Sequence, residues 1–252
     1  MSLFSLLREA HILVELLMDK IVIAIDGPSG SGKSTLGKAI ARKLGYLYID
    51  SGAVYRAIGV RALRLGVSLD DHARLAAVTR EADIRLEGDP DHLRVYLDGE
   101  DVTETIRMPE ASNASSVVAT VPEVRAAVVD MLRAMARGGG VVMDGRDIGT
   151  KVFPDAKVKL FLNASAEVRA HRRCQEERAL GRNVSLEQVR SEIEERDKRD
   201  TQRAATPLVR ADGAIDVDNS FGSVGDLVQH VVGIIEAAVK SEPATDSLPP
   251  QY

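Results

Sequence analysis

Gly27-Pro28-Ser29-Gly30-Ser31-Gly32-Lys33-Ser34, with Thr35 directly behind it, decides the fold of this chain. The stretch fits G-x-x-x-x-G-K-[ST], the loop that cradles nucleotide phosphates. Its flanks fit too: Ile21–Ile25 is a short apolar run that predicts a buried strand, and Thr35–Leu44 has the spacing of a helix that Gly45 ends. Glycines let backbone N–H groups turn inward around phosphate oxygens, and the helix N-terminus adds partial positive charge. Lys33 is placed to reach the β- and γ-phosphates, and the Ser34 hydroxyl to sit on Mg²⁺. A chance glycine-rich turn would not need both a strand before it and a helix after it.

Working outward, four more β-type runs stand at Tyr46–Ile49, Val141–Met143, Val158–Leu162 and Ala214–Val217. Helical spacings over 53–65, 124–136, 166–180, 186–200 and 224–239 lie between most of them, and Ser185 with Gln188 predicts a capping box. Strands alternating with helices predict an α/β fold whose parallel sheet is covered on both faces, with ligands outside the carboxyl ends of the strands. One region breaks the pattern. Asp83–Glu87 and Leu93–Leu97 alternate apolar and polar around Gly88-Asp89-Pro90-Asp91, which predicts a small antiparallel element, read as a β-rich insertion over about 75–116.

The 252 residues suffice for a sizeable core, and 44% hydrophobic with 28% charged content is that of a globular domain. A net charge of −5 gives no global basic field, so no nucleic-acid partner is expected. Cys174 is the only cysteine, which excludes an intrachain disulfide and suggests a reducing, cytoplasmic setting. No apolar run reaches the ~18 residues of a membrane helix. Residues 1–20 are expected to be a non-catalytic extension, and 241–252, polar and Pro-rich, a disordered tail. A monomer meets every requirement so far.

Carboxyl ends of strands supply the candidate chemistry. After the second strand comes Asp50-Ser51-Gly52-Ala53-Val54-Tyr55-Arg56, in which Ser51 is expected to cap the next helix and Arg56 to reach an anion there. After the third comes Asp144-Gly145-Arg146-Asp147, with Asp144 as the acid that orients Mg²⁺ directly or through water, and Arg146 and Asp147 entering the cleft. Arg196, Arg199, Asp200 and Arg203 share one helix face, and Ala204-Ala205-Thr206-Pro207 ends that helix as a hinge. Such a charged helix more often faces water, but a phosphate loop raises the value of mobile arginines. Asn113, Ser116 and Arg125 are unremarkable by pattern. The five histidines are scattered without metal or triad spacing.

Taken together, IDGPSGSGKST (25–35), DSGAVYR (50–56), NASS (113–116), PEVR (122–125), DGRDIGT (144–150), VFPDA (152–156), AHRR (170–173) and EERDKRDTQR (194–203) resemble the bacterial cytidylate kinase family, in its order, over essentially all of 21–239. The resemblance implies a P-loop three-layer fold with a five-stranded parallel sheet, a monophosphate-binding insertion and a helical lid at about 181–207, within a kinase domain spanning 21–240. It implies Mg²⁺-dependent transfer of the γ-phosphoryl of ATP to CMP or dCMP. Residues 27–35 would bind ATP. Ser51 and Arg56 would bind the CMP phosphate with Tyr55 close by; Ser116, Arg125 and Asp147 would read cytosine. Arg146 would help at base and phosphate, Arg196 and Asp200 would contact the sugar, and Arg203 would lie near the transferred phosphate with Arg199 in the same lid. Lys33, Arg146, Arg196, Arg199 and Arg203 are thus the catalytic candidates.

The chemistry is coherent. A carboxylate accepts from the cytosine amino group and repels the carbonyl oxygen that uracil carries there. A phosphate acceptor, with a second pKa of ~6, needs no side-chain base. A hydroxyl acceptor such as shikimate would call for one, with Asp50 or Asp144 as candidates. A nucleotide switch is the other alternative, though the chain lacks an N-K-x-D segment for guanine.

Overall fold

The computed structural model describes residues 20–179, 181–220 and 222–240, so the expectations for 1–19, Leu180 and 241–252 lie outside the described residues. Along the chain run β1 (Val22–Asp26), α1 (Lys33–Leu44), β2 (Leu47–Asp50), α2 (Ser51–Arg64), α3 (His72–Arg80), β3 (Ile84–Glu87), β4 (Arg94–Leu97) and β5 (Glu100–Asp101). A 3₁₀ turn (Thr105–Arg107), α4 (Pro109–Val118), α5 (Pro122–Met135), β6 (Val141–Gly145) and a π-helical turn (Ile148–Val152) follow. The chain then continues through β7 (Val158–Asn163), α6 (Ala166–Ala179), α7 (Leu186–Gln202), β8 (Ile215–Asp218) and α8 (Val224–Lys240).

Five strands form one sheet in the order β2-β6-β1-β7-β8, every pair parallel. These are the five apolar runs of the sequence. Their alternation sorts the core into two layers. Ile23, Ile25, Tyr48, Val142 and Leu160 face Leu36 and Ile40 of α1 and Val231 and Ile235 of α8. Ala24, Ile49 and Met143 face the other way, onto Val54 and Ile58 of α2 and Val124, Val128 and Leu132 of α5. Each fully buried aliphatic side chain contributes about 1.5–3 kcal/mol.

Helix ends follow from local chemistry. Gly45 adopts φ 65° and closes α1 with its N–H on the Ala41 and Arg42 carbonyls. Asp50, not Ser51, caps α2: its Oδ1 accepts from the Ala53 N–H at 3.0 Å. Ser51 is the first helical residue and donates instead to the Asp144 carbonyl at 2.7 Å. The capping box at Ser185 and Gln188 is formed in both directions, each bond 3.1 Å.

The segment between α2 and α5 is less β-rich than its alternation suggested. β3, β4 and β5 form an antiparallel sheet with Ile84 opposite Leu97, but α3 and α4 flank it. α4 packs tightly on α2, where a Cβ on Gly59 would lie 3.0 Å from the Ala114 Cβ. On the far side, Ala170 and Cys174 of α6 pack against Val189 and Ile193 of α7, so Cys174 is a packing residue.

Candidate active site

The sheet topology brings the carboxyl ends of β1, β2 and β6 side by side, and a cavity of about 830 Å³ lies over them. At the phosphate-loop motif, Gly27 stands at φ 152° with its α-carbon so close to β7 that a Cβ would fall 2.0 Å from the Leu162 carbonyl oxygen. No other residue fits there. Ser29, Gly30, Gly32, Lys33, Ser34 and Thr35 line the cavity. Gly27, Pro28 and Ser31 shape the loop from behind, and the Ser31 carbonyl accepts from Asn219 Nδ2 at 2.8 Å.

Lys33 is buried and donates to the Pro28 carbonyl at 2.6 Å. Burial, and then the Arg146 guanidinium, hold its amine down at about 7, with Asp144 pulling the other way. Ser34 Oγ donates to Asp144 Oδ2 at 2.9 Å, and the Tyr48 hydroxyl to Asp144 Oδ1 at 3.0 Å. Burial, and then the neighbouring Asp50, push the Asp144 carboxyl up to about 6. The Ser34 hydroxyl and the Asp144 carboxylate form a pair of hard oxygens beside the loop. That donor set fits Mg²⁺, which takes one or two protein oxygens and completes its shell with water and phosphate. Among the described residues no group of three or more His, Cys, Asp or Glu could hold a metal on its own.

The rest of the cavity wall is built from paired charges. Arg56 donates to Asp50 at 2.7 Å. Burial works to raise Asp50, but the Arg56 guanidinium, the Ala53 N–H and Arg146 together outweigh it and the net shift is down. Arg125, 3% exposed, pairs with the equally buried Asp147, donates to the Ala119 carbonyl at 3.0 Å and to the Thr206 hydroxyl, and lies 5.3 Å from the Tyr55 ring centroid. Arg146 donates to Asp200 at 2.8 Å, and Arg196 to the Ser112 hydroxyl at 3.2 Å. Burial, then Arg146, hold Arg196 down at about 10. The Ser116 hydroxyl, Arg196 Nε and Arg203 Nη2 are buried without a hydrogen-bond partner on residues that line the cavity. Such orphaned groups are what a polar ligand would satisfy.

Every candidate from the sequence except Arg199 therefore either lines this cavity or shapes its loop. Arg199 does not line it. Its Nε is nevertheless buried without a hydrogen-bond partner. Sequence reasoning missed several contributors. Tyr48 holds Asp144 from within β2. Asn219, one residue past β8, braces the phosphate loop. Arg169 donates to the Ser29 carbonyl at 3.0 Å and to Asp197 of α7 at 2.6 Å. Thr206 takes φ 47°, which puts its carbonyl on Arg203 Nε at 2.7 Å while its hydroxyl meets Arg125. Only the position of Asn219 at a strand end carried any signal.

A phosphate loop facing a second pocket of charged side chains across one cavity is the layout of a P-loop phosphotransferase. The family model described as cytidylate kinase matches residues 23–237, and the chain belongs to that family. It is 53% identical over 219 residues to a cytidylate kinase of Pelotomaculum thermopropionicum, covering 85% of this chain and 96% of that protein. It is 47% identical over 219 residues to one of Desulfitobacterium hafniense, covering 87% and 94%. Among solved structures, shikimate kinase from Acinetobacter baumannii in complex with shikimate aligns at TM-score 0.44 and 16% identity, over 86% of this chain and 93% of its own. The chain is accordingly an enzyme, a nucleoside monophosphate kinase.

Proposed function

We propose that the chain transfers the γ-phosphoryl group of ATP to CMP and dCMP, giving ADP with CDP or dCDP. The observation that carries the acceptor is the buried Arg125–Asp147 pair in the same cavity as the phosphate loop. Asp147 accepts from the cytosine amino group, and Ser116 and Arg125 complete the reading of the base. Arg56 and Ser51 take the CMP phosphate beside Tyr55, with Arg146 between base and phosphate. Arg196 and Asp200 meet the sugar.

On the donor side residues 27–35 hold the ATP phosphates. Ser34 and Asp144 would hold Mg²⁺, which when bound neutralises charge on the phosphate oxygens. An oxygen of the CMP phosphate attacks the γ-phosphorus in line, and the bond to the β-phosphate oxygen breaks, leaving ADP. Lys33, Arg196 and Arg203 stabilise the charge on the moving group, and Arg199 contributes from the same helix. No side-chain proton acceptor is needed, because the acceptor phosphate is largely dianionic at neutral pH. Catalysis is then positioning plus electrostatic stabilisation.

In this reading, 21–240 is the kinase domain, about 75–116 its monophosphate-binding insertion and about 181–207 its lid. The reading takes the enzyme as a cytoplasmic monomer acting on small nucleotides, without nucleic-acid or membrane partners. Separately, among the described residues no helix is long and apolar enough to cross a membrane. The test is ADP release from ATP and Mg²⁺ with CMP, dCMP, UMP, AMP and shikimate offered separately. Turnover confined to CMP and dCMP supports the reading. Turnover of shikimate without CMP would remove it.

A further inference from the structure

Asp26 is the last residue of β1 and immediately precedes the phosphate loop, yet it does not line the cavity. It is 3% exposed. Its two carboxylate oxygens each accept one backbone N–H: Oδ1 from Ile148 at 2.8 Å and Oδ2 from Gly149 at 2.7 Å. Those amides open the π-helical turn directly behind Arg146 and Asp147, and Asp147 is the residue that enters the turn. Burying a carboxylate costs several kcal/mol unless its partners compensate. Here the compensation is incomplete: burial pushes the carboxyl up to about 6, against the two amides and Lys33, with Asp147 adding to the rise.

We infer that Asp26 is a positioning residue for nucleobase selection, fixing through the Ile148 and Gly149 amides the direction in which Asp147 enters the acceptor pocket. The inference rests on the base-reading role proposed for Asp147. Two features give it content beyond stability. First, the phosphate loop has its own braces, Asn219 on the Ser31 carbonyl and Arg169 on the Ser29 carbonyl, so loosening Asp26 leaves the ATP side held. Second, nothing else among the described side chains bonds the Ile148 or Gly149 amide. A misplacement of the order of 1 Å at such a group is enough to change transition-state binding by up to about a hundredfold.

The experiment is a comparison of KM for ATP and CMP, and of kcat/KM for CMP against UMP, in Asp26→Asn, Gly149→Ala and Asp147→Asn, with thermal melts to establish folding. Asp26→Asn keeps the shape but turns an amide NH₂ toward one of the two N–H donors. It is expected to raise KM for CMP about tenfold and to narrow the CMP-to-UMP ratio about fivefold or more, with KM for ATP within about twofold. Gly149→Ala places a Cβ 3.3 Å from Asp26 Oδ2 and 3.2 Å from the Ala211 Cβ and Lys159 Cδ, so it should show the same split more mildly, and it decides the matter if Asp26→Asn does not fold. Equal rises in both KM values, or an unchanged CMP-to-UMP ratio, would make Asp26 merely structural and overturn the inference. If Asp147→Asn narrows the ratio and the other two do not, only this inference falls. If Asp147→Asn leaves the ratio intact, the base-reading assignment falls and takes this one with it.

Discussion

Arg146 Nε donates to Asp200 Oδ2 at 2.8 Å, so the end of β6 and the last turns of α7 are tied together across the cleft. Burial opposes the charge on Asp200, but Arg146 and then Arg196 overcome it and hold its carboxyl below the usual range. The pair therefore has two duties in the proposed mechanism, contacting the sugar and keeping Arg146 aimed. Asp200→Ala should raise KM for CMP and dCMP by the same factor, about tenfold, or ~1.4 kcal/mol. Steady-state kinetics with both substrates checks this. A loss confined to CMP would instead assign the carboxylate to the ribose 2′-hydroxyl.

Lys33→Ala should lower kcat by about 10²–10³ while leaving the fold intact, because the amine acts on charge that develops during transfer. Its removal takes a buried cation out of the core of the loop, so the melting temperature should hold or rise. Near-normal turnover in a folded variant would refute the role given to Lys33.

Arg125→Met should be costly for stability. Asp147 would remain buried without its cation, a change worth about 3–5 kcal/mol. Adding Asp147→Asn to the same chain should recover most of that loss, since the stranded charge goes with it. Denaturant unfolding of the two single variants and the double measures the coupling. Simple additivity would mean that the pair does not act as a unit.

Asp26 also predicts a pH dependence. Its carboxyl titrates at about 6 in the fold against 3.8 ordinarily, so folding favours the protonated form. The stabilisation is fully present below about 3.8 and is lost as pH rises through about 6. Asp26→Asn is uncharged throughout. The melting temperature of the variant minus that of the wild type should therefore move upward between pH 4 and pH 7.5. A flat difference would show that burial does not govern this carboxyl.

The parts of the molecule with a strong local period were legible in the sequence. The inner strands β1 and β6 were visible because parallel strands buried on both faces read as unbroken apolar runs, and the phosphate loop because its glycines and lysine must stand in fixed order. α4 was not, because Pro-Glu-Ala-Ser-Asn-Ala-Ser-Ser-Val-Val is poor in strong helix formers. Its helix depends on small residues fitting against Gly59 of α2, which is a tertiary fact. α3 escaped notice for a different reason: its nine residues precede the antiparallel strands, whose alternation dominated the reading of that region.

Within the site, residues that face ligand were easier to find than residues that hold them. Asp144, Arg146 and Asp147 stand together at a strand end, where the fold puts substrates. Asp26, Tyr48, Arg169 and Thr206 act through partners more than seventy residues away in the chain, such as Asp144 for Tyr48 and Arg125 for Thr206. No spacing rule reaches that far. Arg199 shows the converse, a residue with suitable spacing that does not line the cavity.

Arg56, Arg125 and Arg146 at the cavity each have a carboxylate in hand, Asp50, Asp147 and Asp200, whereas Lys33 bonds a carbonyl and Arg196 a hydroxyl. In the proposed mechanism, substrate entry at these three pairs would be an exchange of anions, in which the incoming phosphate takes over a guanidinium and the displaced carboxylate turns to amino or hydroxyl groups of the nucleotide. The enzyme can thus carry an acidic net charge of −5 and still admit polyanions, because attraction is kept as contact chemistry within the cleft and not as a field around the whole molecule.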